Sequence, residues 1–327
     1  MSHPNRRLRI QIEPALAGVR LDKALSQLLP DYSRALIQRW LKQDLVRLDG
    51  RAVAQKFRLA GGETLEVSVP EAWASDVEAQ PAQPVEIEII DQDADLLVIN
   101  KPAGMVVHPG AGHADRTLLN GLLHFDESLR ALPRAGIVHR LDKDTSGVLV
   151  VARNEAARRQ LIEQLRARGM KRRYLAVVNG VPVSGERIDQ PVGRHRHDRL
   201  RMWVTPSGKP AVTHVRVERK FRHHSLLRAD LETGRTHQIR VHLSWRGFPV
   251  VGDKRYGERV RLPPGAGFDL TAALRQLDRH ALHAARLELR HPRSGEPRQW
   301  RQPMPADLQH LVEILENDRR EHRRRGG

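Results

Sequence analysis

The strongest constraint on the fold lies between Gly136 and Asn154, where the sequence GIVHRLDKDTSGVLVVARN places a short polar segment between two apolar runs. Five residues of this segment can carry a charge and fall within six positions: His139, Arg140, Asp142, Lys143 and Asp144. Apolar runs of this length predict strands buried in a core, so the polar segment is expected to be a loop between them. Such a loop is either a plain connection or a catalytic loop that rigid strands hold in place.

The net charge narrows the class of partner. The chain of 327 residues has a formal charge of +17 at pH 7 and a pI of about 11.1. An enzyme of a small neutral metabolite gains nothing from such self-repulsion, so a polyanion is the expected partner. Arginine contributes most of the excess, and its planar fork binds phosphate at two points. Nucleic acid is therefore favoured over a membrane surface.

Two absences in the sequence limit the chemistry and the location. The chain has no cysteine, which excludes disulfides, a thiolate nucleophile and a cysteine-based zinc site. No apolar run reaches the roughly 18–20 residues that cross a bilayer, and the N-terminus lacks the apolar core of a signal peptide. A soluble protein in the cytoplasm is therefore expected.

Residues 18–70 are predicted to form a small domain of two helices and a hairpin. Apolar residues recur with helical spacing from Leu21 to Leu29, and Ser33 is a natural N-cap for a second helix. The pair Asp49-Gly50 predicts a tight hairpin turn, and the segment TLEVSVP that follows alternates like a strand. The Ala-, Pro- and acid-rich residues 71–84 are expected to form a linker.

Residues 85–315 are predicted to form a second domain, which makes the whole chain α+β. Strand-like segments dominate, with a helix from Glu155 to Arg168 that Asn154 caps and a short helix that Thr236 caps. This pattern favours a mixed, mainly antiparallel β-sheet flanked by helices over a βαβ repeat. The basic residues 316–327 are too polar to fold alone and are expected to be disordered.

Several common kinds of active site fit the polar residues poorly. Asp142 and Asp144 would diverge along an extended loop, which argues against a glycosidase pair. Ser146 lacks the glycine pattern of a nucleophile elbow, although a hydrolase that uses Ser146 stays open as an alternative. His237 and His242 do not share a helix face as zinc ligands do, and no metal is expected. A single carboxylate among arginines, with an aromatic side chain available for stacking, is the pattern that remains.

The N-terminal domain resembles the S4 RNA-binding domain. The segment RLDKAL at Arg20–Leu25 matches the usual opening of that domain, and Ser33–Gly50 matches the run that follows. The resemblance implies that basic side chains of this domain bind RNA: Arg20, Lys23, Arg34, Arg39 and Lys42. The alternative is that the helix charges form only a solvated face.

The second domain resembles the RluA-type pseudouridine synthases. GIVHRLDKDTSGVLVVA is similar to their HRLDxxTSG signature, KRRYLAVVNG to a second motif, and LETGRTHQIRVHL to a third. The segments INKPAGMVVHPGAG, GKPAVTH and VVGDKRYG, together with the S4 domain, resemble the D branch of this family in particular. A C-branch enzyme with the same two-domain plan is the nearest alternative. A non-catalytic S4-type RNA-binding factor for ribosome assembly is another.

The resemblance implies an isomerase that needs no cofactor. Such enzymes convert uridine to pseudouridine by cutting the bond from base to sugar, turning the uracil and rejoining it through a ring carbon. For the D branch the implied substrate is 23S ribosomal RNA, at the intersubunit stem-loop (helix 69), and the activity supports large-subunit maturation. The implied partner is large-subunit ribosomal RNA or a pre-ribosomal particle, with no membrane and no metal, and a monomer is expected.

The resemblance also implies roles for four residues of the second domain. Asp142 is the catalytic carboxylate, acting as nucleophile or as base, and Arg240 keeps it ionised. Tyr174 stacks on the target base. Arg140 fills the space that the extruded base leaves in the RNA.

Overall fold

The computed structural model describes residues 6–29, 34–69, 77, 80–110, 112–198, 200–257, 260 and 262–325. The chain divides into two compact units, of which the first comprises Met1–Val85 and Leu119–Gly136. The second comprises Glu86–Leu118 and Ile137–Gly327. The polar segment that carries Asp142 therefore lies in the second unit.

In the described part of residues 6–69, the first unit contains a four-stranded antiparallel sheet and two α-helices. Its elements are β1 (Arg6–Gln11), α1 (Leu21–Leu28), α2 (Arg34–Lys42), β2 (Val46–Leu48), β3 (Arg51–Ala52) and β4 (Thr64–Val69). The strand order is β1-β4-β2-β3. The apolar stripe of α1 is buried as its spacing predicts, and Trp40 of α2 is fully buried in the same core. Asp49 and Gly50 both have positive φ, 48° and 77°, as the hairpin turn between β2 and β3 requires.

Two boundaries of the first unit differ from the expectation. The sheet begins before residue 18, because β1 pairs with the whole length of β4 from Arg6↔Val69 to Gln11↔Thr64. Residues 119–136 belong to this unit rather than to the domain predicted over 85–315. Their contacts show why: Asn120 donates to the carbonyl of Pro81, and Arg130 donates to the carbonyls of Val77 and Gln80. Most of the predicted linker, residues 71–76 and 78–79, lies outside the described residues.

The second unit is built on a nine-stranded sheet. Its strands begin with β5 (Glu88–Gln92), β6 (Leu96–Lys101), β7 (Ser146–Ala152), β8 (Lys171–Asn179) and β9 (Glu186–Asp189), and end with β12 (Val212–Lys220), β13 (His224–Leu231), β14 (Leu282–Arg290) and β15 (Pro297–Arg301). A separate hairpin pairs β10 (Val192–Arg194) with β11 (Met202–Val204). The helices of the second unit are α4 (Glu155–Arg166), α5 (Gln238–Trp245), α6 (Phe268–Gln276) and α7 (Ala306–Arg325), whereas α3 (Leu118–Phe125) belongs to the first unit except for its first residue.

The strand order of the large sheet is β5-β6-β7-β14-β8-β13-β12-β9, with β15 beside β14. All neighbours are antiparallel except β7 and β14. The predicted mixed, mainly antiparallel sheet with helices is therefore confirmed. Every residue of β7 is buried, so the apolar run after the polar segment is a central strand. A Cβ on Gly147 would collide with the backbone of Ala284, so β7 and β14 meet closely at the end nearest Asp142.

For two helices of this unit, the structure confirms one expectation from the sequence and contradicts another. Helix α4 begins after Asn154, whose side chain accepts from the backbone N–H of Ala157 at 2.9 Å, as expected. The expectation of a disordered tail over 316–327 is wrong for residues 316–325, which continue helix α7. The tail is held by ion pairs along the helix from Glu316 to Arg319 and by Asp318, which accepts two hydrogen bonds from Arg222. No helix among the described residues is long and apolar enough to span a membrane.

Candidate active site

The carboxylate of Asp142 lies in the loop that leads into β7, against the first turn of α5. Nη1 of Arg240 donates to Oδ2 of Asp142 at 2.9 Å, although the two residues are 98 positions apart in sequence. The Asp142 side chain is 16% exposed and that of Arg240 is 8% exposed. Because one carboxylate oxygen is tied to Arg240 and the side chain still reaches solvent, the other oxygen is available to a bound molecule.

Arg240 is shared with a second carboxylate, Asp253. Nε and Nη2 of Arg240 donate to the two oxygens of Asp253 at 2.7 and 2.9 Å, which is the bidentate geometry that orients a guanidinium. Asp253 is fully buried and also accepts from the backbone N–H groups of Arg255 and Tyr256. Asp253 therefore aims Arg240 at Asp142. Its motif VVGDKRYG was recognised in the sequence, but nothing there indicated this role.

The electrostatics of the cluster keep Asp142 ionised. Burial raises the pKa of Asp142, but the positive charges of His237, in the protonated form that it adopts at low pH, and of Arg240 lower it by more, so the net pKa lies below its ordinary value. Burial opposes the charge of Arg240 as well, and the two carboxylates outweigh it, so the pKa of Arg240 is raised. At neutral pH the cluster holds two negative charges and one positive charge. A carboxylate in this state can act as a nucleophile or as a base.

His237 contacts the open side of Asp142. Its Nε2 lies 4.0 Å from Oδ1 of Asp142. The Tyr256 hydroxyl accepts from the backbone N–H of Met202 at 2.8 Å, which leaves its own proton for Nδ1 of His237 at 2.7 Å. With Nδ1 as acceptor, the proton of the neutral imidazole sits on Nε2, facing Asp142. Burial lowers the pKa of His237, so the ring is neutral at pH 7.

The start of α5 differs by one residue from the expectation. His237, with φ of 57°, occupies the N-cap position that Thr236 was predicted to hold. The side chain of Gln238 replaces a Thr cap, because its Oε1 accepts from the Arg235 backbone N–H at 3.0 Å and from the Thr233 hydroxyl at 2.8 Å. This arrangement turns the imidazole toward Asp142. The positive φ of His237 has no signature in the sequence.

Lys101 at the end of β6 fixes the loop that bears Asp142. Its side chain is fully buried, and Nζ donates to the carbonyl oxygens of Pro102, Met105 and Lys143 at 2.7, 2.9 and 2.9 Å. Three acceptors match the three N–H groups of an ammonium. Burial lowers the pKa of Lys101 to about 7, against the opposing pull of nearby acids. Lys101 ties the segment after β6 to the residue that follows Asp142.

The segment that leads into β14 holds the other half of the same loop. Arg279 donates to the carbonyl of Asp144 at 3.3 Å, and His280 shares a 2.7 Å hydrogen bond with the hydroxyl of Thr145. Burial lowers the pKa of His280 to about 4, so it is neutral at physiological pH. The loop is therefore attached to rigid elements on both sides of Asp142, which is what a positioned reactive group requires.

Ser146 does meet a histidine, although it was a weak candidate for a hydrolase. Its hydroxyl lies 3.0 Å from Nδ1 of His283, whose Nε2 donates to the carbonyl of Gln302 at 3.1 Å. Both side chains are buried, and Ser146 is the first residue of a central strand. The pair connects β7 to β14 and has no surface at which a substrate could approach.

Tyr174 and Arg140 occupy different environments near Asp142. Tyr174 on β8 is 6% exposed, and burial raises its pKa to about 12, with a further contribution from Asp142. Its hydroxyl is therefore protonated at neutral pH. Arg140 lies in the loop two residues before Asp142, and its side chain is exposed. A cavity of about 450 Å³ opens beside Arg240 and Asp144, and its lining includes four further cations: Arg201, Lys254, Arg255 and Arg279.

Among the described residues, the side chains that were considered as metal ligands have other hydrogen-bond partners. Of the paired histidines, His242 uses one nitrogen on the Thr213 hydroxyl and the other on the carbonyl of Gln190. One group has the spacing of metal ligands, namely Asp93, Asp95 and His291. These side chains already bond to one another, to Arg293 and to backbone N–H groups. They form a structural network at the far end of β6.

The basic residues predicted to bind RNA lie in the first unit. Lys23 and Lys42 are exposed on α1 and α2. Arg20 precedes α1 and donates to both oxygens of the buried Asp22, at 3.1 and 3.0 Å, while its side chain stays 41% exposed. The side chains of Arg34 and Arg39, like Ser33, lie outside what the structure describes.

Comparisons with known proteins match both units. The RNA pseudouridylate synthase family matches residues 95–245, and the S4 domain matches residues 19–65. A protein of Xanthomonas campestris pv. campestris, named ribosomal large subunit pseudouridine synthase D, is 49% identical and covers 94% of this chain and 92% of its own. A Vibrio vulnificus protein of the same name is 45% identical over 95% of each chain. The solved structure of human RNA pseudouridylate synthase domain containing 4 has 28% identity and a TM-score of 0.56, covering 70% of this chain and 93% of that chain.

Proposed function

Since the chain belongs to the RNA pseudouridylate synthase family, we propose that it converts specific uridines of large-subunit ribosomal RNA to pseudouridine. The observation that carries the proposal is the cluster of Asp142, Arg240 and Asp253, which holds one ionised and accessible carboxylate in an otherwise buried site. The relatives named above supply the class of RNA. With ribosomal RNA as substrate, the protein acts in the cytoplasm.

Asp142 is the catalytic residue of this proposal. In the reaction the bond between C1′ of the ribose and N1 of uracil breaks, and C1′ is rejoined to C5 of the turned ring. C5 loses a proton and N1 gains one, so the product is an isomer of the substrate and no cofactor is consumed. Asp142 either attacks the nucleotide or removes a proton, and both roles need the ionised form that Arg240 maintains. Its free oxygen, Oδ1, faces the proton on Nε2 of His237.

Tyr174 and Arg140 handle the base and the gap that it leaves. A uridine in a stem-loop must leave its stack to reach Asp142. Tyr174 offers an aromatic ring for stacking and, with its pKa near 12, remains neutral beside the carboxylate. Arg140 is exposed, so its side chain is free to enter the RNA in place of the extruded base.

The S4 domain supplies binding that does not depend on the reaction. Arg20, Lys23 and Lys42 expose cations that suit phosphate groups, and the same role is proposed for Arg34 and Arg39. The high net charge favours association with RNA or a pre-ribosomal particle before the site is engaged. The protein is proposed to bind as a monomer and without a metal.

The proposed target is the intersubunit stem-loop, helix 69, as the resemblance to the D branch implies. C-branch specificity, with other target uridines, is the alternative. Mapping pseudouridines in the large-subunit RNA of a deletion strain, before and after the gene is returned, distinguishes them. Restored modification in helix 69 supports the D branch, whereas restoration at other uridines supports the C branch.

Substitution of Asp142 tests the chemistry, with the neighbouring acid as control. Asp142→Asn is expected to abolish pseudouridine formation on transcribed large-subunit RNA while leaving RNA binding intact. Asp144→Asn in the same loop is expected to keep activity within about tenfold, because the contact that Arg279 makes is to the Asp144 backbone carbonyl. Activity in Asp142→Asn would exclude the proposed mechanism. An RNA-binding wild type that forms no pseudouridine would favour a non-catalytic assembly factor.

A further inference from the structure

Arg172 on β8 is a buried cation for which the described residues supply no partner. The residue is 9% exposed, and its Nε has no hydrogen-bond acceptor among the described residues. Among the described residues, none forms an ion pair with Arg172 or accepts a hydrogen bond from its guanidinium. The next residue shows the contrast, because Nε of Arg173 donates to Oδ1 of Asp230 at 2.7 Å. The two arginines differ in burial and in pairing, although they are adjacent on one strand.

Among the described residues, the neighbours of Arg172 supply no negative charge. Its partners across the sheet are Leu231 on β13 and Leu287 on β14. Nη1 lies against Gly234, where an added Cβ would come within 2.7 Å of it. Glycine at that position leaves room for the guanidinium at the start of the segment that leads into α5.

Arg172 also belongs to the immediate surroundings of the catalytic loop. Tyr174 lies two residues along β8, so both side chains project from the same face of the strand. Electrostatic interaction links Arg172 to Tyr174 and to His139, which stands three residues before Asp142. Burial, together with Arg172, lowers the pKa of His139 to about 3, so that imidazole stays neutral and leaves the guanidinium uncompensated.

A guanidinium in this position destabilises the free protein. Burial of an unpaired ion is unfavourable, and an apolar side chain of similar length would pack without that penalty. A cation retained under these conditions needs an anion that arrives from outside. Such local destabilisation is typical of sites whose partner is a ligand.

We propose that Arg172 is a second cationic residue of the active site and binds an anionic oxygen of the uridine nucleotide beside Tyr174. This inference rests on the proposed function. The nucleotide offers two sources of such an oxygen. One is a backbone phosphate, which is charged throughout. The other is a uracil oxygen, which becomes negative when the C1′–N1 bond breaks and its electron pair passes to the ring.

Arg172→Met tests the inference, because methionine replaces the charge by an apolar chain of similar reach. Arg173→Met is the matched control on the same strand, and Arg172→Lys keeps the charge but loses the planar fork. Three quantities are measured for each variant: the thermal midpoint without RNA, the Kd for large-subunit RNA at several salt concentrations, and the single-turnover rate of pseudouridine formation. The expected result for Arg172→Met is a higher midpoint together with lower function, whereas Arg173→Met has an equal or lower midpoint and near-normal function.

The form of the functional loss identifies the oxygen. If Arg172 binds a phosphate, Kd rises about tenfold or more and the salt dependence of log Kd falls by about one unit, with little change in the bound rate. If it binds a uracil oxygen, Kd is unchanged and the bound rate falls by about 10²–10³. Arg172→Lys is expected to keep the wild-type midpoint and to lose part of the function in either case.

Two results would overturn the inference. One is an Arg172→Met protein that is as active as Arg173→Met on the same RNA. The other is a lower thermal midpoint in Arg172→Met, which would show that the guanidinium supports the fold. Failure of the proposed function is a separate outcome, since it would appear as wild-type protein that forms no pseudouridine at all.

Discussion

Replacement of Arg240 by glutamine separates the two roles that its guanidinium plays. The change removes three charge-assisted hydrogen bonds, one to Asp142 and two to Asp253, all in a buried site. Removing one partner of a buried ion pair destabilises a protein by about 3–5 kcal/mol, because a charge is left without compensation. In Arg240→Gln two carboxylates are left in this state. The free energy of unfolding is therefore expected to fall by at least that amount at pH 7.

The same substitution raises the pKa of Asp142. An opposite charge at this distance lowers a carboxyl pKa by about 1–3 units, so its loss raises the pKa by a similar amount. In the wild type the pKa lies below its ordinary value, and activity is expected to persist into mildly acidic solution. In Arg240→Gln the acidic limb of the pH–rate profile should move upward by about 1–3 pH units. Wild-type Asp142 and Asp253, whose pKa values are lowered, keep their contribution to stability above the unfolded pKa and lose it only as the pH falls through the folded pKa. The orphaned carboxyl groups of the variant have raised pKa values and are protonated first, so the deficit of the variant shrinks on acidification.

The assays are single-turnover pseudouridine formation from pH 4 to 8 and urea unfolding at pH 7 and pH 5. The double variant Arg240→Gln/Asp253→Asn is the control, because it removes the orphaned charge of Asp253 without restoring a cation to Asp142. It should regain part of the lost stability and keep the displaced acidic limb. An acidic limb of Arg240→Gln that superimposes on the wild-type profile would refute the assignment of Arg240 as the group that holds Asp142 ionised. Recovery of activity in the double variant would also refute this assignment of Arg240.

Two further substitutions test the supports of the site. Lys101→Met leaves three buried carbonyl oxygens without a donor. We therefore expect the free energy of unfolding, measured in urea, to fall by about 2–4 kcal/mol and the single-turnover rate to fall by at least tenfold. Normal activity would show that the loop holds its shape without the ammonium. Tyr256→Phe removes the hydroxyl between Met202 and His237, which frees the imidazole to change tautomer. The bound rate is expected to fall about tenfold with an unchanged Kd for RNA, and histidine ¹⁵N NMR, which reports the tautomer directly, should show a mixture at His237.

Elements of the fold could be predicted from the sequence where a few neighbouring residues determine them. The helix α1, the Asp49-Gly50 turn and the Asn154 cap each depend on a few neighbouring residues, and the structure contains all three. Strand β1 was missed although Leu8 and Ile10 alternate with arginines as in a strand, because the sequence does not reveal its partner, β4, more than fifty residues later. The C-terminal helix was missed for a related reason. Its ion pair to Arg222 joins residues 96 positions apart, so composition alone suggested disorder.

Residues of the site could be assigned a role from the sequence only where the resemblance to family motifs supplied that role. The pairing of Asp142 with Arg240 was expected from resemblance alone, since nothing in local patterning joins two residues so far apart. Asp253, Tyr256 and Lys101 received no role, because an isolated Asp, Tyr or Lys in a sequence is usually a solvated or packing residue. Burial and geometry give them their roles here. The polar segment is a loop before the buried strand β7, as predicted. The apolar residues on its other side were also predicted to be a strand, but they form only an isolated bridge from Ile137 to Val151.

The pairing of two carboxylates with one guanidinium has a consequence for the proposed reaction. A one-to-one pair of Asp142 and Arg240 would be neutral, whereas Asp253 takes two of the three hydrogen bonds and leaves the cluster with a net charge of −1. Heterolysis of the C1′–N1 bond leaves positive charge on the sugar and negative charge on the base. A cluster of charge −1 stabilises the first, and the unpartnered Arg172 beside Tyr174 is placed to stabilise the second or to hold the phosphate next to it. The buried Asp253 therefore determines whether the negative charge of Asp142 is available to the substrate, although Asp253 need not touch the RNA. The substitution Asp253→Asn should lower the rate of pseudouridine formation in the bound complex and leave the Kd for RNA unchanged.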